Sequence, residues 1–382
     1  MNILQVTHRL YPSSGGGSNV VCNISKYLQF KGNNVTIITS DYNFNRDYIN
    51  NLEDNGIAVL GFHMDFIFSQ LIISRDMEKW LGVNIRDYDI IHLHGVRTYQ
   101  NYLVIKYAKK YNIPMVLHPH GSFKHVGSKK LLKSLYDIFF LKNIIDNVSV
   151  FIALSESEKN ACEKMGVPLE KINIVPNGID LIEFTELPSK GEFRKIYGIP
   201  DNKKILLYIG RIDRTKGIDL LIKAYYHVLQ EDSSYLLVIA GSDIGYKNDL
   251  LRLISNLGIN RKILFLDYLS DRDKFRALVD STIFITPKFY GFPITFVEAC
   301  ACGLPLITTD GGDYLEWING YAGFCTKYDE KMLAESIFGI ANDIEKRKFF
   351  SDNCREAVNN TFNWEKITND LVRIYNKILL DK

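Results

Sequence analysis

Arg211 and Lys216 stand in the segment GRIDRTKG (210–217), directly after the apolar run KILLYI. Such a segment joins a strand to a helix. A planar guanidinium fork and a compact ammonium in one loop suit a diphosphate that gains negative charge as it departs. The plainer reading is solvated surface charge. A second cluster is YGFPITFVEACACGLP (290–305). Gly291 and Pro293 shape a loop, and 294–302 reads as a helix whose first amides, at Ile294 and Thr295, can bind phosphate. Glu298 lies one turn in, among apolar neighbours. A carboxylate facing the same spot would repel phosphate, so Glu298 is assigned to neutral hydroxyls such as those of a ribose. The plainer reading, a buried helix stopped by Gly303, accounts for everything except Glu298.

SSGGGSNVV (13–21) follows the first apolar run and opens a helix. Its glycines let backbone approach an anion; a tight strand–helix turn explains them equally well. The GxGxxG spacing of a dinucleotide fold is absent. His92, His94, His118 and His120 form two His-x-His pairs at strand ends, where alternate residues share a face. A metal cluster is the minor reading, because no carboxylate or further ligand follows from the spacing. Asp271-Arg272-Asp273 resembles a metal clamp but reads better as the start of a helix over 272–280, with Ser270 or Asp271 as N-cap.

Repeated strand and helix units position these residues. Apolar runs rich in β-branched residues begin at positions 2, 35, 57, 90, 115, 150 and 172, and again at 204, 235, 262, 281 and 304. They are apolar on both faces, as strands of buried parallel sheets are. Helical patterns fall between them, among others at 20–31, 155–165, 218–230 and 250–257. The two series predict two doubly wound α/β domains, and ligands of such sheets sit at the carboxyl ends of the strands. Periodicity breaks over 181–195. The expected division is 1–183 and 184–361, with a terminal helix in 362–382 packing back on the first domain.

The chain has 382 residues, 46% hydrophobic and 24% charged, the profile of a globular protein large enough for two cores. A net charge of +2, balanced in both halves, argues against nucleic acid as the main partner. Six cysteines show neither a Cys-x-x-Cys pair nor a disulfide framework. No segment reads as a signal peptide or a membrane span. The expected location is cytoplasmic. Peripheral contact with the inner face of the membrane would come through 121–145, GSFKHVGSKKLLKSLYDIFFLKNII, whose lysines adjoin Phe139 and Phe140. A core helix with a solvated basic face is the stronger reading of that segment.

In this order and spacing, GGGSNVVCNISKYLQFKGNNVTIITS, DIIHLHG, HPHGS, ALSESEKNACEKMGVPLEKINIVPNGID, LYIGRIDRTKGIDLLIKAY, GFPITFVEACACGLPLITTDGG and FNWEKI resemble the family 4 retaining glycosyltransferases over nearly the whole chain. The resemblance implies a GT-B fold, two Rossmann-like domains facing across a cleft. It implies transfer of a hexose from a UDP-, GDP- or other nucleotide sugar to a glycan or lipid-linked acceptor, in cell-surface polysaccharide or glycoconjugate synthesis, with no cofactor and no metal. By the same resemblance, Gly16 and Gly17 approach the donor phosphates or the acceptor, and Arg211 and Lys216 hold the diphosphate as leaving group, helped by the amides of Ile294 and Thr295. Glu298 takes the ribose, Tyr268 and Leu269 lie beside the base, and His120 reaches the reacting sugar. Retention is explained by attack on the face the leaving group departs from, without a protein nucleophile.

The sequence departs from the family pattern in one place that matters. Eight residues before Glu298, where a glutamate binds hydroxyls of the transferred sugar, stands Tyr290. A phenol has one donor and no charge. Tyr290, Gly291, Phe292 and Pro293 are therefore expected to line the donor-sugar side of the site, with Tyr290 helping to choose the sugar. Two other functions compete: a non-catalytic nucleotide-sugar-binding protein, suggested by Tyr290, and a metal-dependent hydrolase using the histidine pairs.

Overall fold

The structure is a computed structural model that describes residues 1–11, 16–43, 45–68, 71–123, 134 and 136–381. The chain divides into two compact units, Met1–Asn177 with Trp364–Lys382, and Gly178–Asn363. The division thus falls just after the short strand Ile172–Ile174, a few residues ahead of the segment that loses periodicity.

The first unit holds β1 (Asn2–Val6), β2 (Asn34–Ser40), β3 (Ala58–Phe62), a small antiparallel hairpin of β4 (Phe66–Phe68) and β5 (Leu71–Ile73), then β6 (Ile90–His94), β7 (Met115–His118), β8 (Val150–Ala153) and β9 (Ile172–Ile174). Seven of them form a parallel sheet in the order β3-β2-β1-β6-β7-β8-β9. Alternate residues feed opposite faces. Leu4, Val6, Ile91, Leu93, Leu117 and Phe151 pack on one side. Ile3, Ile37, Ile90, Val116 and Ile152 pack on the other, against Val20, Ile24 and Leu28 of the helix Gly16–Phe30. The helix Trp364–Leu380 covers the same side with Trp364, Ile367, Leu371 and Tyr375, all buried. Each such side chain contributes about 1.5–3 kcal/mol on burial, which fixes this distant segment to the sheet.

The second unit holds β10 (Lys204–Ile209), β11 (Tyr235–Ala240), β12 (Ile263–Leu266), β13 (Ile283–Ile285), β14 (Leu306–Thr309) and β15 (Gly323–Thr326), parallel in the order β12-β11-β10-β13-β14-β15. Leu206, Tyr208, Leu237, Ile239, Ile283 and Ile307 meet the helices Ile218–Glu231 and Glu330–Ala341 on one face. Every apolar run read as a strand contains one. The hairpin β4–β5 and β15 were not foreseen.

In each sheet the strand order reverses direction beside the first strand of its series, between β1 and β6 and between β10 and β13. The crevice at the carboxyl ends of such a pair is where open α/β sheets bind ligands. The segments after β1, β7, β10, β12 and β13 carry most of the chemically marked residues. No described helix is long and apolar enough to cross a membrane.

Candidate functional site

In the second unit the cation loop is built by close backbone contacts. Gly210 donates to the Ala240 carbonyl at 3.0 Å. A Cβ at Gly241 (φ 145°) would lie 1.9 Å from the Gly210 oxygen, so only glycine fits there. The buried Tyr208 hydroxyl donates to the Arg211 carbonyl at 2.8 Å. Asp213 accepts the Thr215 amide at 2.8 Å and its hydroxyl at 2.5 Å, winding Arg214–Lys216 into a 3-10 turn. Gly217, at φ 68°, then opens the helix Ile218–Glu231. Arg211 is exposed and Lys216 half-buried. Burial and the Arg211 charge lower the Lys216 ammonium below its ordinary range, against the pull of Asp213.

The loop after β13 is tied to this one, because the Lys288 amide donates to the Lys216 carbonyl at 3.2 Å. Asp313 braces it further, accepting the Gly291 amide at 2.7 Å and donating its own amide to the Phe289 carbonyl at 2.9 Å. The helix Ile294–Ala301 starts after Pro293 with no side-chain cap, so the amides of Ile294 and Thr295 lack a capping side chain. Tyr290 is 36% exposed. The Lys288 ammonium stands 5.7 Å from its ring centroid and 5.5 Å from that of Tyr328. The ring of Phe292 packs on Phe362, at 5.7 Å.

Glu298 has a partner that its own segment does not announce. Lys274 Nζ reaches Glu298 Oε1 at 2.7 Å and Asp271 Oδ1 at 3.0 Å. Burial would lower that ammonium, but Glu298 and Asp271 more than offset it and hold the ammonium above its ordinary range. Lys274 lies on the helix Asp271–Asp280, whose N-cap is Ser270. Tyr268, 76% exposed, and Leu269 precede that cap. They have no hydrogen bond to Arg211, Lys216 or Glu298 among the described residues.

In the first unit, Gly16 and Gly17 begin the helix after β1; the loop residues 12–15 lie outside the described residues. A Cβ at Gly17 would meet nothing within 4 Å, so packing does not require glycine there. His120 follows β7 in the left-handed region, at φ 52°, an unusual conformation for a residue with a Cβ. Glu158, itself buried, accepts the Gly121 amide at 2.5 Å and the Leu154 amide at 2.8 Å, holding this turn in place.

The two histidine pairs come together. His94 pairs in register with His118. The rings of His118 and His120 stack at 4.0 Å, and those of His92 and His94 at 4.4 Å. His94 Nδ1 lies 2.9 Å from His120 Nε2, and His94 Nε2 lies 2.6 Å from Gln5 Oε1. His92 Nδ1 meets the Tyr375 hydroxyl at 2.6 Å. Burial lowers all four imidazoles, His92 to about 3 and His120 to about 4, so they are neutral at physiological pH. His92, His94 and His118 are the one group among the described residues with nitrogens close enough together to suggest an ion, within 4.8 Å of one another. Stacked rings aim their lone pairs along parallel planes rather than at one point, and His94 already has both nitrogens in hydrogen bonds. Of the segment 121–145, Lys124, Lys129, Lys130 and Lys133 lie outside the described residues. Asp137 pairs with buried Arg97 at 2.6 Å, while Ile138 and Phe139 are each 72% exposed.

Residues 189–357 match the family Glycosyl transferases group 1, and residues 14–183 match Glycosyltransferase Family 4. The chain belongs to the family 4, group 1 glycosyltransferases. It is an enzyme of the transferase class that acts on nucleotide sugars. The N-acetyl-alpha-D-glucosaminyl L-malate synthase of Bacillus anthracis is 26% identical, over 99% of this chain and 98% of that one. The UDP-Gal:alpha-D-GlcNAc-diphosphoundecaprenol alpha-1,3-galactosyltransferase of Escherichia coli is 25% identical, over 85% and 86%. HepE of Anabaena, solved in complex with UDP and glucose, superimposes with a TM-score of 0.80 at 19% identity, over 99% of this glycosyltransferase and 100% of HepE. The sucrose-phosphate synthase of Thermosynechococcus elongatus gives 0.78 at 19% identity, covering both chains completely. These likenesses establish the GT-B fold. The motifs did not mark Lys274, Lys288 and Asp313 in the second unit, or Glu158, Gln5 and Tyr375 in the first.

Proposed function

We propose that this glycosyltransferase moves a hexose, with retention, from a nucleoside diphosphate sugar to a glycan or lipid-linked acceptor in cell-surface polysaccharide or glycoconjugate synthesis. One observation carries the reading: the loop of Arg211 and Lys216 is hydrogen-bonded to the loop that leads into an uncapped helix start at Ile294 and Thr295. Two cations and free amides at the carboxyl ends of β10 and β13 match the negative charge of a departing nucleoside diphosphate. The acceptor hydroxyl attacks the anomeric carbon, the bond to the diphosphate oxygen breaks, and the acceptor proton passes to the leaving phosphate. No protein nucleophile and no metal enter this scheme. Glu298 takes ribose hydroxyls, Tyr268 and Leu269 flank the base, and the loop 290–293 lines the sugar side. His120 serves the transferred sugar, and Gly16 and Gly17 give room to phosphate or acceptor. Relatives named for diphosphoundecaprenol and diphosphopolyprenol acceptors support the lipid-linked class. Exposed Ile138 and Phe139 support peripheral contact of the segment 121–145 with the membrane that carries such acceptors.

The test pairs UDP- and GDP-sugars with polyprenyl-diphosphate-linked acceptors in the presence of a chelator. The expected outcome is nucleoside diphosphate release coupled to a product with the donor's anomeric configuration. An inverted product, or turnover abolished by the chelator, overturns the scheme.

A further inference from the structure

Three neutral side chains of the first unit form a line ending at His120. Gln5 Oε1 lies 2.6 Å from His94 Nε2, and His94 Nδ1 lies 2.9 Å from His120 Nε2. Gln5 and His94 are buried. A carbonyl oxygen only accepts, so His94 carries its proton on Nε2. A neutral imidazole has one ring proton. His94 Nδ1 is therefore an acceptor, and the proton in its bond to His120 belongs to His120 Nε2. His120 Nδ1 is left with a lone pair, and no described residue bonds to it.

The amide orientation of Gln5 sets this pattern. Exchanging its oxygen and nitrogen would move every proton along the line and make His120 Nδ1 a donor. Gln5 is paired in register with His92 on the neighbouring strand. Its nitrogen bonds to no described residue, and the oxygen is the atom turned to His94. Stacking on His118 and the left-handed turn at His120 hold the last ring in position.

We propose that Gln5 and His94 are positioning residues that lock His120 in its Nε2–H tautomer, so that His120 meets its ligand only as an acceptor at Nδ1. The ligand group follows from the reading that His120 serves the transferred sugar, on which this step rests. It is a sugar hydroxyl, which donates to Nδ1. A carboxylate or carbonyl oxygen presented at the same place would meet a lone pair. The line therefore selects donor sugars with a hydroxyl there over uronates. Burial keeps His120 neutral down to about 4, so the acceptor persists through the physiological range.

The experiment is a long-range 1H–15N correlation spectrum of the full chain labelled with 15N-histidine, free of ligand and near neutral pH, with His120 assigned by its loss in His120→Gln. A protonated-type Nε2 and an unprotonated-type Nδ1 are expected in the wild type. Gln5→Leu should give mixed tautomers at His120, and Gln5→Glu, which restores an acceptor, a single one. In parallel, kcat/KM should fall about tenfold in Gln5→Leu, while affinity for the free nucleoside diphosphate stays unchanged. A proton on His120 Nδ1 in the wild type overturns the proposal, even if Gln5→Leu fails to fold. So does an unaltered His120 spectrum in folded Gln5→Leu. Tautomers that shift as expected with no change in transfer would leave the relay standing and remove His120 from the sugar.

Discussion

Lys274 Nζ and Glu298 Oε1 are 2.7 Å apart, on helices that begin 23 residues apart in the chain, and both side chains are largely shielded from water, 16% and 13% exposed. The pair gives Glu298 a fixed orientation, and on the proposed reading its second oxygen takes ribose hydroxyls. Glu298→Gln keeps the shape and an acceptor for Lys274 but removes the charge. Affinity for the nucleoside diphosphate should drop by roughly 1.5–3 kcal/mol, the range for hydrogen bonds to a charged group, with a smaller loss of thermal stability. Calorimetric titration checks it. Wild-type affinity would make the pair a purely structural ion pair.

Lys216 lies in a loop held by backbone contacts, so its side chain is dispensable for folding. Lys216→Ala should lower kcat by about a hundredfold, the effect of losing one preorganised donor to a developing charge, while the melting temperature changes little. Lys216→Arg should rescue only in part, because a fork does not replace a point charge. Wild-type turnover of Lys216→Ala at saturating donor would remove it from the diphosphate.

Tyr290 faces Lys288 and leaves Phe292 to pack on Phe362. Tyr290→Phe should cost the preferred donor about 0.5–1.5 kcal/mol in kcat/KM, a neutral hydrogen bond. Tyr290→Glu puts a carboxylate beside Lys288 and should reorder the donors. The measurement is the ratio of kcat/KM for two donor sugars in wild type and both variants. A ratio constant across all three would leave the tyrosine without a part in sugar choice.

The four stacked histidines make stability fall in acid. In the folded chain burial holds His92 at about 3 and His120 at about 4, with His94 and His118 also well below 6.5. Unfolded, each titrates near its ordinary value of about 6.5. Above that pH neither state is charged at these sites. Below it the unfolded chain binds protons that the folded chain refuses, so each histidine removes up to about 1.4 kcal/mol per pH unit until its folded value is reached. The melting temperature should therefore drop steeply from pH of about 6.5 to about 5. A flat profile over that interval would mean that the folded stack accepts protons.

The strands were legible because each is a short β-branched run apolar on both faces, and the loops because glycine, proline and charge interrupt those runs. β15 escaped because GFCT is short and opens on Gly323, whose tight fit against the Leu306 carbonyl shows only in the fold. Arg211, Lys216 and Glu298 were readable from local spacing. Their supports were not. Lys274 meets Glu298 across 24 residues and Gln5 meets His94 across 89, and nothing within either segment signals the other. Lys288 sits beside Pro287 in a stretch that read as the end of a strand, and only the fold places it between Tyr290 and Tyr328.

The helix Trp364–Leu380 belongs to the first unit although the whole second unit precedes it in the chain. On the ribosome, Gly178–Asn363 has all its own sequence before the first unit has its own. Until residues 364–380 emerge, the nascent first unit has the sheet face of Ile3, Val116 and Ile152 covered only in part, by the helix Gly16–Phe30, and His92 without Tyr375. Completion of the units therefore runs opposite to chain order, and the unit begun first is the last to be finished. A premature stop near residue 363 would spare the sequence of the second unit and leave the first with a partly exposed apolar face for chaperones and proteases to find.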